Sequence, residues 1–209
     1  MDSAIVNVLP RAARDEKREA ILRTAYEAFL TEGYAATSMS SIAARVGGSK
    51  ATLYNYFSSK EELFAAVIDE KCQDLQALLF ATSEDASDFR AMLSGLGERF
   101  LKLLLCDDKI ATYRLITAET ARFPELGRSF YQSGPALGRE NLSRLFAQAV
   151  ADGHLKPGDT RVMATLFFDM CGGDIHRRRL WNVTAHVTDA EIRAHVANVV
   201  SVFLAAYGV

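Results

Sequence analysis

An all-α fold is what this sequence predicts, with a small N-terminal three-helix domain followed by a larger helical bundle, and three observations carry the prediction. Apolar residues recur at i, i+3, i+4 and i+7 through most of the chain. No segment alternates apolar with polar residues for long enough to build a half-buried strand. Glycine and proline fall between the periodic stretches, where helices should end. At 209 residues and 49% hydrophobic content, the chain can bury one sizeable core, or a small and a larger core in one folded unit.

The elements follow in order. From about Arg14 a first helix carries Ile21, Leu22, Ala25, Phe29 and Leu30 on one stripe, and Gly33 supplies its C-terminal stop. Arg11, Arg14, Lys17 and Arg18 precede or open it. Met39, Ile42, Ala43 and Val46 share one face of a short second helix, which Gly47-Gly48 ends because glycine takes a left-handed backbone without steric penalty. Ser49 can cap a third short helix in which Leu53 and Phe57 point inward, leaving Lys50, Thr52, Asn55 and Tyr56 outside. Two helices joined by so tight a turn form a helix-turn-helix, an arrangement suited to nucleic acid.

Ser58 and Ser59 each have a glutamate three residues on, Glu61 and Glu62, so either register gives a capping box. A long helix then runs through Leu63, Val67, Leu75 and Leu79 to about Phe80, residues 82–88 read as a connection, and 89–105 as another amphipathic helix. Pro124, Gly134-Pro135, Gly153 to Gly158 and the polar patch from Asn182 to Asp189 break the remainder into helices near 109–122, 125–132, 135–152, 159–181 and 188–207. The domain boundary is expected near Lys60: residues 1–60 hold an N-terminal arm and the helix-turn-helix, residues 61–209 the helical bundle.

Charge is distributed unevenly. The net value is -2, but residues 11–60 carry +3 and the rest -5, so the basic end coincides with the helix-turn-helix. No apolar run reaches the ~18 residues that span a bilayer. The N-terminus lacks the charge order of a secretory signal. Cys72, Cys106 and Cys171, odd in number and set in apolar periodicity, are expected to be reduced core residues of a cytoplasmic protein.

The stretch FLTEGYAATSMSSIAARVGGSKATLYNYFSSKEELF, residues 29–64, closely resembles the DNA-binding head of the TetR family of transcriptional regulators. The resemblance rests on Glu32 to Tyr34, Thr37, Ile42-Ala43, Thr52-Leu53-Tyr54, Tyr56-Phe57 and Lys60 at fixed offsets, and it covers roughly residues 15–70. Further on, Thr117 to Pro135 is similar to the AefR-like subgroup. Two positions depart from the family pattern: Gly48 where a small apolar residue is usual, and Ala51 where many members have glycine.

The resemblance implies a homodimeric, sequence-specific DNA-binding regulator, a repressor released from a palindromic operator by a small-molecule effector. A helical ligand-binding or interaction protein with a vestigial helix-turn-helix is the alternative. Thr37, Ser38 and Ser40, at the start of the second helix, would hold phosphate or simply cap the helix. Lys50, Thr52, Asn55 and Tyr56 would work at the major groove. Tyr54 and Lys60 would take phosphates, unless the Tyr54 ring packs on the first helix.

In the C-terminal half, Phe100, Leu104, Tyr113, Ile116, Phe167 and Met170 are candidates for the effector pocket or plain core residues. The last two helices carry more apolar surface than one stripe needs: Val162, Leu166, Phe167, Met170 and Cys171, then Ile192, Val196, Val199, Val200, Phe203, Leu204 and Tyr207. A second face, with Val196, Val199, Val200 and Phe203, could pack on a partner subunit, or all could fill a thick monomer core.

His154, His176, His186 and His195 have no metal spacing and read as structural or solvated. Gly95-Leu96-Gly97 signals only a weakened helix, and Arg177 to Arg179 a solvated run completing a helix end. No nucleophile has a base beside it, so no catalysis, cofactor or metal is expected.

Overall fold

The computed structural model describes residues 11–80 and 88–209. The expected N-terminal arm and most of the connection at 82–88 lie outside the described residues. The helices are α1 (Arg11–Glu32), α2 (Met39–Arg45), α3 (Lys50–Tyr54), α4 (Lys60–Leu79), α5 (Phe89–Leu105), α6 (Asp107–Glu119), α7 (Pro124–Tyr131), α8 (Leu137–Ala151), α9 (Thr160–Leu180) and α10 (Asp189–Tyr207). Among the described residues the only β feature is an isolated bridge from Leu155 to Gly208. The chain divides into compact units at Met1–Ile68 and Asp69–Val209, the division falling inside α4. No helix of the described residues is long and apolar enough to cross a membrane.

In the first unit α1 ends where Gly33, at φ 83°, donates its N–H to Phe29 O at 3.1 Å. Ile21, Leu22, Ala25 and Phe29 are buried, as their spacing requires. The first turns of α4 bury Leu63, Phe64, Val67 and Ile68 in the same core. Phe29, Tyr34 and Phe64 form its centre, with ring centroids 5.3 to 5.5 Å apart. At the start of α4 the capping is shared: Ser59 Oγ accepts from Glu62 N at 3.1 Å, while the Glu62 carboxylate accepts from Ser58 N at 2.7 Å.

In the second unit α8 packs on α9, and α5 packs on both α9 and α10. Phe146, Phe167 and Phe203 meet at its centre, with centroids 5.1 to 6.0 Å apart. Gly97 is there for close approach rather than for weakness: a Cβ on it would lie 2.8 Å from Val196 Cγ1. Cys72 and Cys171 are buried, but Cys106 is exposed at the α5–α6 junction, so only two of the three are core thiols. Arg179 is also not a solvated residue. It is buried, ion-paired with Asp107 and bonded to Leu105 O at 3.4 Å.

Two local features depart from the simplest reading of the punctuation. Gly134-Pro135 does not break the chain into separate helices, because residues Gln132–Ala136 form a π-helical turn that carries α7 directly into α8. Pro135 has no N–H to give, and the wider turn absorbs the mismatch. Gln76 Nε2 donates to Gly134 O at 3.3 Å. In α9, Gly173 leaves helical geometry at φ 39°, ψ -139°. The carbonyls of Met170 and Cys171, which would otherwise meet amides one turn on, lie 3.1 and 2.9 Å from His195 Nε2 on α10. Since both partners are acceptors, that nitrogen carries the proton.

Candidate nucleic-acid interface

The interface is built by the turn between α2 and α3. At the end of α2, Gly47 takes φ 69°, Gly47 N donates to Ala44 O at 3.2 Å and Gly48 N to Ala43 O at 3.0 Å. This paired closure is the Schellman arrangement, which needs the left-handed conformation at one residue. A Cβ on Gly47 would meet nothing within 4 Å, so the requirement there is backbone conformation rather than space. Gly48 has no such φ, and a Cβ on it would come no nearer than 4.0 Å to Lys17. Gly47→Ala should therefore lower stability by about 1 kcal/mol, while Gly48→Ala should be neutral or slightly stabilising. Urea denaturation of the two variants checks the contrast, and equal losses would contradict it.

At the start of α2, Ser38 Oγ accepts from Ser41 N at 3.0 Å, and Ser41 Oγ accepts from Ser38 N at 3.1 Å. Ser38 is thus an N-cap, and Ser40 stands exposed on the same first turn. Thr37 does not face a phosphate. It is buried, and its hydroxyl donates to Gly33 O at 2.8 Å and sits 3.3 Å from Ala28 O.

Lys60 also turns inward: its ammonium donates to Tyr34 O at 2.8 Å and Thr37 O at 3.0 Å, 4.2 Å from the Tyr34 ring centroid. Both residues clamp the link between α1 and α2. The expectation that they bind phosphate is corrected accordingly, because carbonyls of the link between α1 and α2 claim their donors first.

On α3, Ser49 Oγ accepts from Thr52 N at 3.0 Å and pairs with Thr52 Oγ1 at 2.8 Å, so the Thr52 hydroxyl is engaged and half-buried. Lys50, Tyr54 and Asn55 are exposed, and Lys50 Nζ lies 5.7 Å from the Tyr54 ring. Tyr54 is 43% exposed, so its ring is not packed away on α1. Tyr56 is half-buried, with the exposed Arg14 guanidinium 5.9 Å from its ring.

Sequence reasoning noted the basic start of α1 without assigning it a role. Lys17 Nζ donates to Val46 O at 3.0 Å, closing the end of α2 against α1, and Arg18 lies 5.6 Å from the Phe57 ring. Their signal was the cluster of positive charge in the opening turns of the first helix. Lys50, Tyr54, Asn55, Tyr56 and Arg14 together give ammonium, guanidinium, amide and phenol groups on exposed or half-exposed side chains of one unit. Such groups can bond phosphate oxygens and base edges.

In the second unit the expected pocket and partner residues do not share one environment. Phe167 sits in the Phe146–Phe203 stack, Leu104 and Ile116 are buried, and Phe100 pairs with Phe168 at 4.5 Å. Met170 packs against the same core, whereas Tyr113 contacts Phe130 and His176. Val196, Val199, Val200 and Phe203 are 0 to 7% exposed inside one protomer, so their side chains cannot meet a partner, and that expectation is corrected. The large apolar side chains that α9 and α10 leave exposed are Val162, Leu166 and Val202. Among the described residues no group of three or more His, Cys, Asp or Glu is placed to hold a metal ion.

Comparison with known proteins agrees with this architecture. Residues 21–67 match the family model described as bacterial regulatory proteins, tetR family, and residues 91–209 match that of the AefR-like transcriptional repressor, C-terminal domain. The transcriptional activator FasR of Mycolicibacterium smegmatis is 38% identical over 106 residues, which span 51% of this chain and 48% of that protein, about half the length of each. Among solved structures, a candidate TetR-family regulator from Mesorhizobium loti MAFF303099 is 29% identical, with TM-score 0.83 over 96% of this chain and all of that one. The flavonoid-responsive regulator FrrA is 31% identical, with TM-score 0.83 over 93% of this chain and 98% of that one.

Proposed function

The chain belongs to the TetR family of DNA-binding transcriptional regulators, and we propose that within it this protein is a cytoplasmic, homodimeric repressor released from a palindromic operator by a small-molecule effector. The observation that carries the reading is the α2–α3 turn, which fixes Lys50, Tyr54 and Asn55 as exposed side chains beside Arg14 and Tyr56. Lys50 and Arg14 hold phosphates, Asn55 and Tyr56 work at base edges, and Ser40 offers a hydroxyl at the start of α2. Two such heads about one helical turn of DNA apart, ~34–36 Å, would read a palindrome. Val162, Leu166 and Val202 form the partner-facing surface.

The effector binds in the second unit and acts through α4, which is one uninterrupted helix from Lys60 to Leu79. An effector can move the heads only by binding one conformation more tightly than the other, typically by ~1–3 kcal/mol. A relative named for its response to flavonoids supports a small-molecule effector of aromatic character. The word repressor in the description of the matched C-terminal model supports the sign of regulation.

The test is fluorescence anisotropy with labelled DNA from upstream of the protein's own reading frame, against a scrambled duplex, at several salt concentrations. The upstream DNA should bind with clear preference. Lys50→Ala should weaken both duplexes and reduce the slope of log K against log salt by about one, whereas Asn55→Ala should narrow the gap between them. Equal binding of the two duplexes by the native protein would exclude the regulator reading.

A further inference from the structure

Buried polar atoms are nearly always hydrogen-bonded, so those without partners mark places where something else is expected to bond. Among the described residues, two such atoms that belong to no ion pair lie along the packed faces of α6, α7 and α9, whereas Arg139 Nε and Arg178 Nε sit in guanidinium groups paired with Asp169 and Asp174. His176 Nε2 is buried without a hydrogen-bond partner. Thr120 Oγ1 is likewise buried and unpartnered, over Gly127, where a Cβ would come within 2.4 Å of it.

Between them runs an aromatic wall. The Tyr113 ring meets Phe130 edge-on at 4.9 Å and 83°, and meets His176 at 4.8 Å and 68°. Tyr113 on α6 and Thr120, the residue that caps its C-terminal end, are two turns apart, about 10 Å at ~1.5 Å per residue, and both adjoin α7 through Phe130 and Gly127. That span is comparable to a fused two-ring to three-ring molecule.

The electrostatics disfavour a cationic ligand group at this wall, because the positive charges of Arg177 and Arg139 already act on His176 and Tyr113. Burial, and then the Arg177 charge, lower the His176 imidazole from its ordinary 6.5, so it is neutral at physiological pH. Burial pushes the Tyr113 phenol up to about 12, with Cys72 adding to the shift and Arg139 opposing it. Arg139 itself is paired with Asp169 at 3.0 Å. A neutral imidazole nitrogen can accept a hydrogen bond from a hydroxyl or donate one to it, according to tautomer, and rings favour a planar aromatic face.

We propose that Tyr113, Phe130, His176 and Thr120 form the recognition surface for the effector, and that the effector is a planar, multi-hydroxylated aromatic molecule without a positive charge. The assignment rests on the effector-responsive reading above. One hydroxyl bonds His176 Nε2 and a second reaches Thr120 Oγ1, while the aromatic plane lies against Tyr113 and Phe130. Both unpartnered atoms are thereby satisfied.

Isothermal titration of the intact protein with apigenin, a hydroxylated flavone, and with unsubstituted flavone tests this. Apigenin should bind about tenfold tighter, the scale of a neutral hydrogen bond in a desolvated site. His176→Phe should erase that preference. Thr120→Val, which keeps the side chain's shape, should reduce it. Neither change should lower the melting temperature, because each removes a buried atom that bonds nothing in the free protein; a lowered melting temperature would mean that the atom has a structural partner and would overturn its assignment. Binding of neither flavone, or an unchanged preference in both variants, would overturn the ligand class. Operator binding by the same ligand-free preparation is measured alongside, so failure of this surface and failure of the regulator reading leave different records.

Discussion

Lys60→Met is expected to destabilise the N-terminal unit by about 2–3 kcal/mol while leaving the salt dependence of DNA binding unchanged. Methionine keeps the aliphatic stem, so the loss is confined to the ammonium. That group bonds Tyr34 O at 2.8 Å and Thr37 O at 3.0 Å, and stands over the Tyr34 ring at 4.2 Å. Hydrogen bonds to charged groups contribute ~1.5–3 kcal/mol, and a cation over an aromatic face adds ~0.5–1 kcal/mol at a partly exposed site. The measured quantities are the urea midpoint of the intact chain and the slope of log K against log salt. A lysine engaged with phosphate would give the opposite record, a slope lower by about one with little change in midpoint. Such a result would return Lys60 to the DNA surface.

Phe203→Ala should cost about 3–5 kcal/mol, the usual range for truncating a buried aromatic residue. Its ring is fully buried, 5.1 Å from Phe146 and 5.3 Å from Phe167, at the centre of the second unit. Nearby cavities collapse poorly around three interlocked rings, so the loss should fall toward the upper part of that range. Val162→Glu combined with Leu166→Glu should behave differently, because those side chains are 50% and 40% exposed. The double variant should keep its melting temperature and sediment as a monomer, with weakened operator binding. A stable Phe203→Ala variant that loses only dimerisation would reverse the assignment of core and partner faces.

Helix positions were legible in the sequence because a helix is set by neighbours three and four residues away. Ile21, Leu22, Ala25 and Phe29, or Met39, Ile42 and Ala43, declare a buried stripe by spacing alone, and all are buried. The turn at Gly47 was legible for the same local reason. The unreadable part is set by which element covers a face. Val196, Val199, Val200 and Phe203 look identical in sequence whether helices of the same protomer or a second subunit pack on them, and it is α5, α8 and α9 of the same chain that do.

Polar residues show the same limit. Thr37, Lys60 and Arg179 carry groups typical of a wet surface, yet backbone carbonyls at helix junctions draw all three inward. His176 reads as one more isolated histidine, and only its burial against Tyr113 reveals a nitrogen without a partner. Pro135 reads as a stop because its lost N–H is a local fact, whereas the π turn that tolerates it also depends on neighbouring elements, including Gln76 of α4 bonded to Gly134 O.

The departure of Gly173 from helical geometry means that α9 is not one stiff rod. Val162 and Leu166 lie on its N-terminal segment and His176 on its C-terminal one, with the swivel between them held by a single imidazole from α10. A displacement at His176 would be absorbed at that joint before reaching the far segment. The two halves of α9 are thus tied together through a neighbouring helix as well as through their own backbone, which an unbroken helix would not require.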